Sequence, residues 1–455
     1  MRHLGLLSAA ITLALSQSIS SFASVPEEVA ARLGGDLTPV GAERAGNAAG
    51  TIPEWTGGLQ TPPAGWSPGM NHIDPFADEE PLYSITSANM GQYEDQLTGV
   101  SRAMFRAWPD SYRMDVYPSH RTCATPQWVY NSVANNARTG ELTANGNGVV
   151  NAIHGRPFPI PGNGLEMIWS HTRSYLPHKI TRQFAAVIPT RGGSFVPYIA
   201  QDDAIITWSN PNVSDASELD NIAALYILHT VAPSRTAGNV ILVHETLNMD
   251  EGSRQAWSYS PGTRRVRRAP DIAYDNPGTN SDGMSTADSF GGFNGAPDRY
   301  DWRVVGKREA LIPYNNYRLG SPDLTYDDIA QTPHLNPDIM RYEMHRVWVL
   351  EATLRDDARH TYGRRVFYID EDTASIIQAE IYDSRGELWR LQEGYPTVAY
   401  EVPACVGVGG ISYDLNNGRY LLGGLLNQEG PINFFADELN ADRYTPAQIR
   451  RLGSR

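Results

Sequence analysis

The pattern of apolar and polar positions changes character near Lys179. From there on, apolar residues alternate with polar ones, which is the period of a half-buried β-strand. The segment 341–354 shows this best, with Tyr342, Met344 and Trp348 on one side of the strand. The pattern predicts strands over 179–188, 193–200, 203–209, 238–249, 254–260, 264–269, 300–312, 341–354, 362–370, 374–383, 386–393 and 411–423.

Short polar segments separate the late strands and predict an antiparallel meander. Asp370–Thr373 and Asp383–Gly386 have the composition of tight turns. Between the early and middle strands, Asp220–Ala232 is mostly apolar and predicts one buried helix. A sheet of more than about ten strands has to curl or split. The sequence therefore predicts a mainly β fold with helices, in which a large curved antiparallel sheet or incomplete β-barrel wraps around a central helix.

The part of the chain before this sheet has a different composition. Residues 24–85 are rich in Pro, Gly and Ala but carry several aromatic residues, which disordered linkers lack. Residues 86–140 predict three helices, which begin at Thr86 or Ser87, at Thr98 and at Pro126. A last helix is predicted after Thr445. We therefore expect an N-terminal arm and helical segment over 24–165, packed on a curved β domain over 166–455.

The first residues have the three parts of a secretory signal. A basic start is followed by the apolar run Leu4–Leu15 and by the small-residue exit Ser21–Ala23. Cleavage is expected after Ala23, which makes residues 1–23 a signal peptide. No Cys follows the cut directly, so a lipid-anchored lipoprotein is not expected. The sequence predicts an exported protein of the periplasm.

Charge and cysteine content narrow the function classes. The formal net charge of −14 argues against nucleic-acid binding, which favours a basic surface. The chain has only Cys123 and Cys405. In an oxidising compartment these two thiols can form a disulfide, and the alternative is two isolated buried thiols.

No motif for catalysis, metal binding or nucleotide binding is present. The chain lacks His-Glu-x-x-His, Gly-x-Ser-x-Gly and the phosphate-binding loop, so no catalytic residue, metal or cofactor is predicted. The adjacent acids at Asp202–Asp203 and Asp370–Asp372 are expected to be solvated. The long Gly- and Asp-rich loop Asp275–Asp301 is either a plain loop, a flap over a cavity or an ion-binding segment.

The segment Arg264–Arg268 is the densest positive patch of this acidic chain. On a strand, Arg265 and Arg267 point to one side and Arg264 and Arg268 to the other. The patch suits an edge strand that uses charge to prevent aggregation. The alternative is a docking site for anionic lipid headgroups or an acidic partner, because Arg binds phosphate well.

Several stretches resemble known families. The segment Gln255–Val266 and the hairpins Arg365–Asp370 and Asp383–Leu388 resemble strands of outer-membrane lipoprotein-sorting (LolA/LolB-like) proteins. Nearly the whole chain after the signal is similar to the exported proteobacterial family catalogued as domain of unknown function 1329. The stretches that carry this likeness are Leu37–Glu43, Trp55–Gly58, Tyr117–Arg121, Pro157–Pro161, Asn294–Trp302 and Leu335–Asp338.

The resemblance implies an incomplete barrel with an apolar concave face covered by helices, and it supplies no catalytic residues. It also implies an outer-membrane barrel-like protein and an export pump of the resistance-nodulation-division type as partners. We therefore expect a non-catalytic periplasmic carrier or chaperone for a lipid-like or other hydrophobic cargo. The expected lining residues come from apolar strand faces: Ile241, Val243, Trp257, Tyr259, Trp348, Leu350, Phe367, Ile369, Ile377, Ile381 and Trp389.

Two other functions remain open at this stage. One is a secreted hydrolase that uses carboxylates of the long loop, with Asp282, Asp298 and Asp301 as candidates. The other is a scaffold of an envelope transport complex that binds its partner through Arg264, Arg265, Arg267 and Arg268.

Overall fold

The computed structural model describes residues 25–269, 272 and 274–454, and the expected signal peptide lies outside them. The helices are α1 (Glu27–Ala30), α2 (Gly99–Ala107), α3 (Gln127–Thr139), α4 (Gly164–Thr172), α5 (Tyr326–Ile329) and α6 (Pro446–Gly453). The strands are β1 (Tyr83–Ile85), β2 (Met114–Val116), β3 (Glu141–Leu142), β4 (Val149–Val150), β5 (Lys179–Val187), β6 (Tyr198–Ile205), β7 (Ile222–Ala232), β8 (Val240–Thr246), β9 (Gln255–Ser260), β10 (Arg265–Arg268), β11 (Tyr300–Pro313), β12 (Tyr342–Leu354), β13 (Arg364–Asp370), β14 (Ile376–Tyr382), β15 (Leu388–Ala399), β16 (Ala404–Asp414) and β17 (Arg419–Leu425).

Fifteen of these strands form one large curved sheet that does not close on itself. Its order is β1-β2-β12-β13-β14-β15-β16-β17-β5-β6-β7-β8-β9-β10, and β11 pairs with β12. The pairing is antiparallel except where β2 meets β12 at Val116 and Tyr342. The prediction of a mainly β fold with a large curved antiparallel sheet is confirmed.

The predicted central helix over Asp220–Ala232 is wrong, because this segment is strand β7. It pairs with β6 on one side and β8 on the other. Its residues are apolar on both faces of the sheet, so the alternation that marks most strands is lost. A continuous apolar run of this kind does not distinguish a buried strand from a buried helix. The sheet therefore does not wrap around a helix at this place.

Other boundaries also differ from the sequence pattern. The segments 193–200 and 203–209 are replaced by the single strand β6, because Asp202 and Asp203 are buried within it and are not loop acids. The predicted strand 411–423 is two strands, β16 and β17, joined at Gly418 by a tight turn with positive φ. The helix expected at Thr86 is only a short 3-10 turn, Met90–Tyr93.

The expected starts of three other helices are confirmed. The side chain of Thr98 accepts a hydrogen bond from the backbone N–H of Ser101 at the start of α2. Pro126 immediately precedes α3, and Thr445 accepts from Gln448 N–H at the start of α6. None of the described helices combines the length and apolar character that a bilayer span requires.

The pairing register assigns side chains to two faces of the sheet. Face A carries Leu350, Phe367, Ile381, Leu228 and Ile241, whereas face B carries Val347, Tyr368, Leu391, Ile227 and Val240. Residues directly opposite each other on neighbouring strands point to the same side. These two names are used below for the two sides of the sheet.

Face B is covered along both halves of the sheet. Helix α2 and the segment 314–340 pack on the half formed by β12–β17 and bury a large apolar cluster there. The C-terminal residues Ala436, Leu439, Tyr444 and Ile449 pack on the half formed by β6–β10. Face B is therefore the main core of the protein.

The N-terminal arm is attached to the sheet at several points. Strands β1 and β2 extend the sheet beside β12. The structure joins Cys123 to Cys405 of β16 in a disulfide, the pairing that the sequence left open. Near it, the indole N–H of Trp55 donates to the carbonyl oxygen of Cys123 at 3.1 Å. The arm thus packs as an ordered layer on the β domain.

Candidate functional site

Face A differs between its two halves. Over β12–β14 it is buried beneath Met167 and Ile168 of α4 and Phe293 of the loop 274–299. Over β5–β8 most of its apolar residues are only half-buried, although Tyr198 and Ala200 are buried. We call this second surface the open strip, and it consists of Ile180, Phe184, Ala204, Tyr226, Leu228, Ile241 and Val243.

The register explains why these residues form one continuous surface. Ile180, Ala204, Tyr226 and Val243 lie opposite one another on four successive strands, and Leu228 lies opposite Ile241 in the next row. Contiguous exposed apolar surface is rare on proteins that function alone and often marks a binding site. The open strip is an apolar surface of this sheet that the described residues leave half-covered.

A polar cluster, in which only Asp202 is buried, lies within the open strip. The Arg182 guanidinium lies 3.0 Å from a carboxylate oxygen of Asp202, and the Tyr226 hydroxyl donates to the same carboxylate at 3.3 Å. Burial and the charge of Asp202 together raise the pKa of Tyr226 well above its usual range. The charges of Arg182 and Asp202 are therefore paired with each other within the cluster.

The basic edge strand β10 lies beside the open strip. Arg267 is opposite Ser258 of β9, and Ser258 is opposite Ile241, so these three residues form one row on face A. With a spacing of about 4.8 Å between strands, Arg267 lies about 10 Å from Ile241. Arg265 is on the same face, and both guanidinium side chains are exposed. An apolar surface is therefore flanked by two cationic side chains.

The long loop covers face A next to the open strip. Asn280 donates to the hydroxyl of Thr230 at 3.0 Å, and Asp282 accepts from the hydroxyl of Tyr198 at 3.2 Å. Deeper in, the carboxylate of Asp288 lies 2.6 Å from Arg365 and 3.0 Å from His360. The loop is therefore fixed by a buried anchor at its centre and by half-buried hydrogen bonds to Thr230 and Tyr198 near the strip.

Two small cavities lie within the described part of the chain. One, beside Tyr317, offers about 20 Å³ to the centre of a water molecule, and the other, beside Glu393, offers about 10 Å³. About 10–15 Å³ by this measure holds one water. Neither cavity therefore has room for more than one or two water molecules.

The expected lining residues do not share one surface. Ile241 and Val243 belong to the open strip. Trp348, Leu350, Phe367, Ile369 and Ile381 also lie on face A, but all except the half-buried Trp348 are deeply buried. Trp257, Tyr259 and Ile377 pack in the clusters on face B, and Trp389 lies at a bulge of β15 and donates to Asp414 at 3.0 Å.

The three candidate acids of the hydrolase reading are dispersed. Asp282, Asp298 and Asp301 are exposed, and the first two hydrogen-bond different tyrosines, Tyr198 and Tyr274. Exposed carboxylates with separate partners lack the shared cleft that general acid–base pairs require. The patch Arg264–Arg268 lies at the free edge of the described sheet, with Arg264, Arg265, Arg267 and Arg268 exposed.

The expectation that Asp370–Asp372 are solvated is wrong. All three acids of this turn are buried, and Arg121 from the arm lies 2.6 Å from Asp372. Their partners are distant in the chain, so no local pattern identifies the burial. Sequence reasoning likewise missed Tyr226 and Leu228, because β7 was assigned as a helix.

Comparison with known proteins agrees with the sequence resemblance. An uncharacterized protein of Pseudomonas aeruginosa is 43% identical over 433 residues, which are 95% of each chain. A crystal structure of a DUF1329 family protein from Desulfovibrio piger is similar at 13% identity and a TM-score of 0.40, covering 60% of this chain and 92% of the other. A LolA superfamily protein from Nitrosomonas europaea is similar at 13% identity and a TM-score of 0.38, covering 63% of this chain and 98% of the other.

The similarity to these two solved structures is too low to identify a ligand. The family assignment rests on the Pseudomonas relative and on a family model that matches residues 84–450. That match includes the open strip, the long loop and the buried turn. The chain therefore belongs to the family described as "Protein of unknown function (DUF1329)".

Proposed function

We propose that this protein is an exported, non-catalytic carrier or chaperone that binds a lipid-like or other hydrophobic cargo on the open strip. The observation that carries this proposal is a half-buried apolar surface on a sheet whose other face forms the main core. The internally paired Arg182 and Asp202 also support it, because they offer no free group for chemistry.

Partition energies indicate how the cargo is held. Complete burial gains about 0.8 kcal/mol per methylene group. An acyl chain lying on an open surface buries roughly half of its own surface, so ten methylenes gain at most about 4 kcal/mol, which corresponds to roughly millimolar affinity. Covering the other side would bring the gain to about 8 kcal/mol and the affinity to roughly micromolar. Tight binding therefore requires a cover, and we assign this role to the loop 274–299.

The charged edge suggests the polarity of the cargo. Arg265 and Arg267 lie on the same face as the open strip, at the distance of a headgroup from the middle of an acyl chain. Guanidinium groups bind carboxylate and phosphate by paired hydrogen bonds. We propose that an anionic headgroup binds there. Docking of an outer-membrane barrel-like protein or an export pump at Arg264–Arg268 is the alternative use of the same patch.

The compartment follows from the same proposal. A disulfide such as Cys123–Cys405 persists in oxidising compartments and is rare in the cytosol. Together with the signal pattern of the first residues, this supports export to the periplasm. The cargo would be carried between the membranes of the envelope.

A fluorescent fatty acid tests the proposal directly. The chain without its signal peptide is titrated with cis-parinaric acid, whose emission rises in an apolar site. The double variant Leu228→Asp/Ile241→Asp places two carboxylates on the open strip and is expected to weaken binding at least tenfold. Val305→Asp is the matched control, because Val305 is an exposed apolar residue on β11, outside the strip.

Equal binding by the wild type and the strip variant would contradict the proposal, as would no binding by the wild type. Circular dichroism of both variants separates loss of binding from loss of fold. Binding that is lost equally in Val305→Asp would indicate general destabilisation and would also count against the open strip.

A further inference from the structure

A cluster of three side chains that can bind a metal ion lies in the interior, between the N-terminal arm and the sheet. His345 of β12, Asp370 at the end of β13 and Asp372 in the following turn are each at most 3% exposed. One ligating atom from each lies within 4.8 Å of the other two. We propose that these three residues bind one divalent transition-metal cation, such as zinc, that joins the arm to the sheet.

The hydrogen bonds of His345 orient its ring for such a role. Its Nε2 lies 3.2 Å from Oε2 of Glu343, and the other oxygen of that carboxylate, Oε1, accepts a hydrogen bond from the side-chain amide of Asn315 at 3.0 Å. A histidine that donates Nε2–H to a carboxylate leaves the lone pair on Nδ1 free for a metal. The Nδ1 atom faces Asp370, with 3.9 Å to its Oδ1 atom.

Asp370 supplies an independent indication of a missing partner. Its Oδ1 atom is buried and has no hydrogen-bond partner among the described residues. The other oxygen, Oδ2, accepts from the backbone N–H of Thr373 at 2.8 Å. Buried polar atoms in native proteins are nearly always paired, and an unpaired one calls for an unrecorded water or ion. The unpaired oxygen faces the free nitrogen of His345.

Asp372 completes the donor set without giving up its own ion pair. Arg121 donates to both of its oxygens, at 2.6 and 2.8 Å. Each carboxylate oxygen has a second lone pair, which remains available to a cation. Arg156 lies nearby, but its guanidinium is used by backbone carbonyls, at 2.7 Å to Val40 and 2.9 Å to Glu371. These two arginines lower the affinity for a cation but do not occupy the site.

The geometry requires the three side chains to move closer together, because their ligating atoms lie within 4.8 Å of one another and not yet at the spacing of bound ligands. Ligands of a tetrahedral zinc ion at 2.0–2.2 Å lie about 3.4 Å apart, so the 3.9 Å gap between His345 and Asp370 has to close by about 0.5 Å. Imidazole and carboxylate together suit zinc or manganese better than calcium. Since the site is sealed by the arm, the ion would be incorporated as the chain folds and would have a structural role.

The experiment measures metal content and affinity on the untagged chain without its signal peptide. After folding in the presence of zinc and dialysis, mass spectrometry of the elements is expected to find one zinc per chain. Removal with a chelator is expected to lower the melting temperature, and readdition of zinc to restore it. His345→Gln and Asp370→Asn are expected to bind zinc at least tenfold more weakly. Glu343→Gln, which only positions His345, is expected to weaken binding by about 10–100-fold.

The matched control is His360→Gln. His360 is also buried beside a carboxylate, that of Asp288, but lies outside the cluster, so this variant is expected to keep one zinc. Less than a tenth of an equivalent in the wild type, or full zinc in His345→Gln, would overturn the proposal. If the variants do not fold, X-ray absorption of the wild-type zinc decides: one imidazole with oxygen ligands supports the site, and any other donor set overturns it.

Discussion

The carboxylate of Asp288 and the guanidinium of Arg365 lie 2.6 Å apart, and both side chains are almost completely shielded from solvent. Asp288 belongs to the long loop, whereas Arg365 is on β13 and points to face A. The rings of Phe293, Tyr300 and Tyr362 surround the guanidinium at 5.0–5.3 Å. This ion pair therefore fixes the centre of the loop on the sheet, and the part of the loop beside the open strip is held by the half-buried hydrogen bonds of Asn280 and Asp282.

Replacing Asp288 by Asn removes the charge that Arg365 requires. Breaking one partner of a buried ion pair costs about 3–5 kcal/mol, because the remaining charge stays buried without compensation. We expect Asp288→Asn to lower the free energy of unfolding by about that amount, as measured by urea denaturation. Asp301→Asn, an exposed acid just beyond the loop, is the control and should change it by less than about 0.5 kcal/mol. Equal urea midpoints for the two variants would show that the pair does not anchor the loop.

The same pair predicts a loss of stability in acid. Burial opposes the charged form of Asp288, but the positive charge of Arg365 and the hydrogen bond from His360 outweigh it and lower its pKa to about 2. The usual pKa of Asp in an unfolded chain is about 3.9. Because the folded pKa is the lower one, the stabilisation is complete above about pH 4 and is lost as the pH falls towards 2.

Wild type and Asp288→Asn measured side by side isolate this contribution. Between pH 5 and pH 2 the wild type should lose about 2–3 kcal/mol more than the variant. Parallel stability curves over this range would contradict the assignment.

Glu393 predicts the opposite dependence on pH. Its carboxyl group is buried among Tyr112, Tyr342 and Tyr395, and burial raises its pKa to about 7. The unfolded value is about 4.3, so the folded state favours the protonated acid. The resulting stabilisation is complete below about pH 4 and is lost as the pH rises to 7.

Glu393→Gln keeps the shape of the side chain, but its amide does not titrate. Between pH 5 and pH 8, we expect the wild type to lose about 2–3 kcal/mol relative to this variant in urea denaturation. Glu438→Gln, at an exposed position, should follow the wild type. A variant that loses stability as steeply as the wild type would mean that Glu393 is already ionised in the folded protein.

The disulfide predicts that the arm depends on redox conditions. Cys123 and Cys405 are separated by 282 residues, and closing a loop of this length stabilises a fold by about 5 kcal/mol in the chain-entropy account. Cys123→Ser/Cys405→Ser should therefore unfold at lower urea concentration and expose residues 25–82 to limited proteolysis. A reducing agent should shift the wild type towards the variant and leave the variant unchanged. No effect of the reducing agent on the wild type would contradict this account.

The late strands were predictable because their residues alternate regularly, as in 341–354. Strand β7 was not predictable, because its residues are apolar on both faces of the sheet. The sequence around Leu228 is therefore as continuously apolar as that of a buried helix. The alternating pattern also predicted part of the site, because it identified Ile241 and Val243 as lining residues. It could not predict the burial of Asp372, because the partner of this carboxylate, Arg121, is 251 residues away in the chain. Local patterns report the period of an element, whereas such pairings depend on the complete fold.

The position of the arginines on β10 predicts a preference for anionic cargo. Arg265→Ser/Arg267→Ser removes the two charges on face A and should weaken binding of cis-parinaric acid about tenfold or more, since each cation near an anionic surface contributes about 1 kcal/mol. Binding of its uncharged methyl ester should change little. Arg264→Ser/Arg268→Ser removes the same charge outside face A and serves as the control. Equal weakening by both pairs of substitutions would indicate a general effect of charge.

The central claim is that the open strip holds a hydrophobic molecule in the cell. Native mass spectrometry with lipid extraction, on protein isolated from its own envelope, tests it most directly. We predict a bound hydrophobic molecule on the wild type and on Val305→Asp, and its loss from Leu228→Asp/Ile241→Asp. A wild-type protein that carries no such molecule, or a strip variant that carries it in full, would contradict the account.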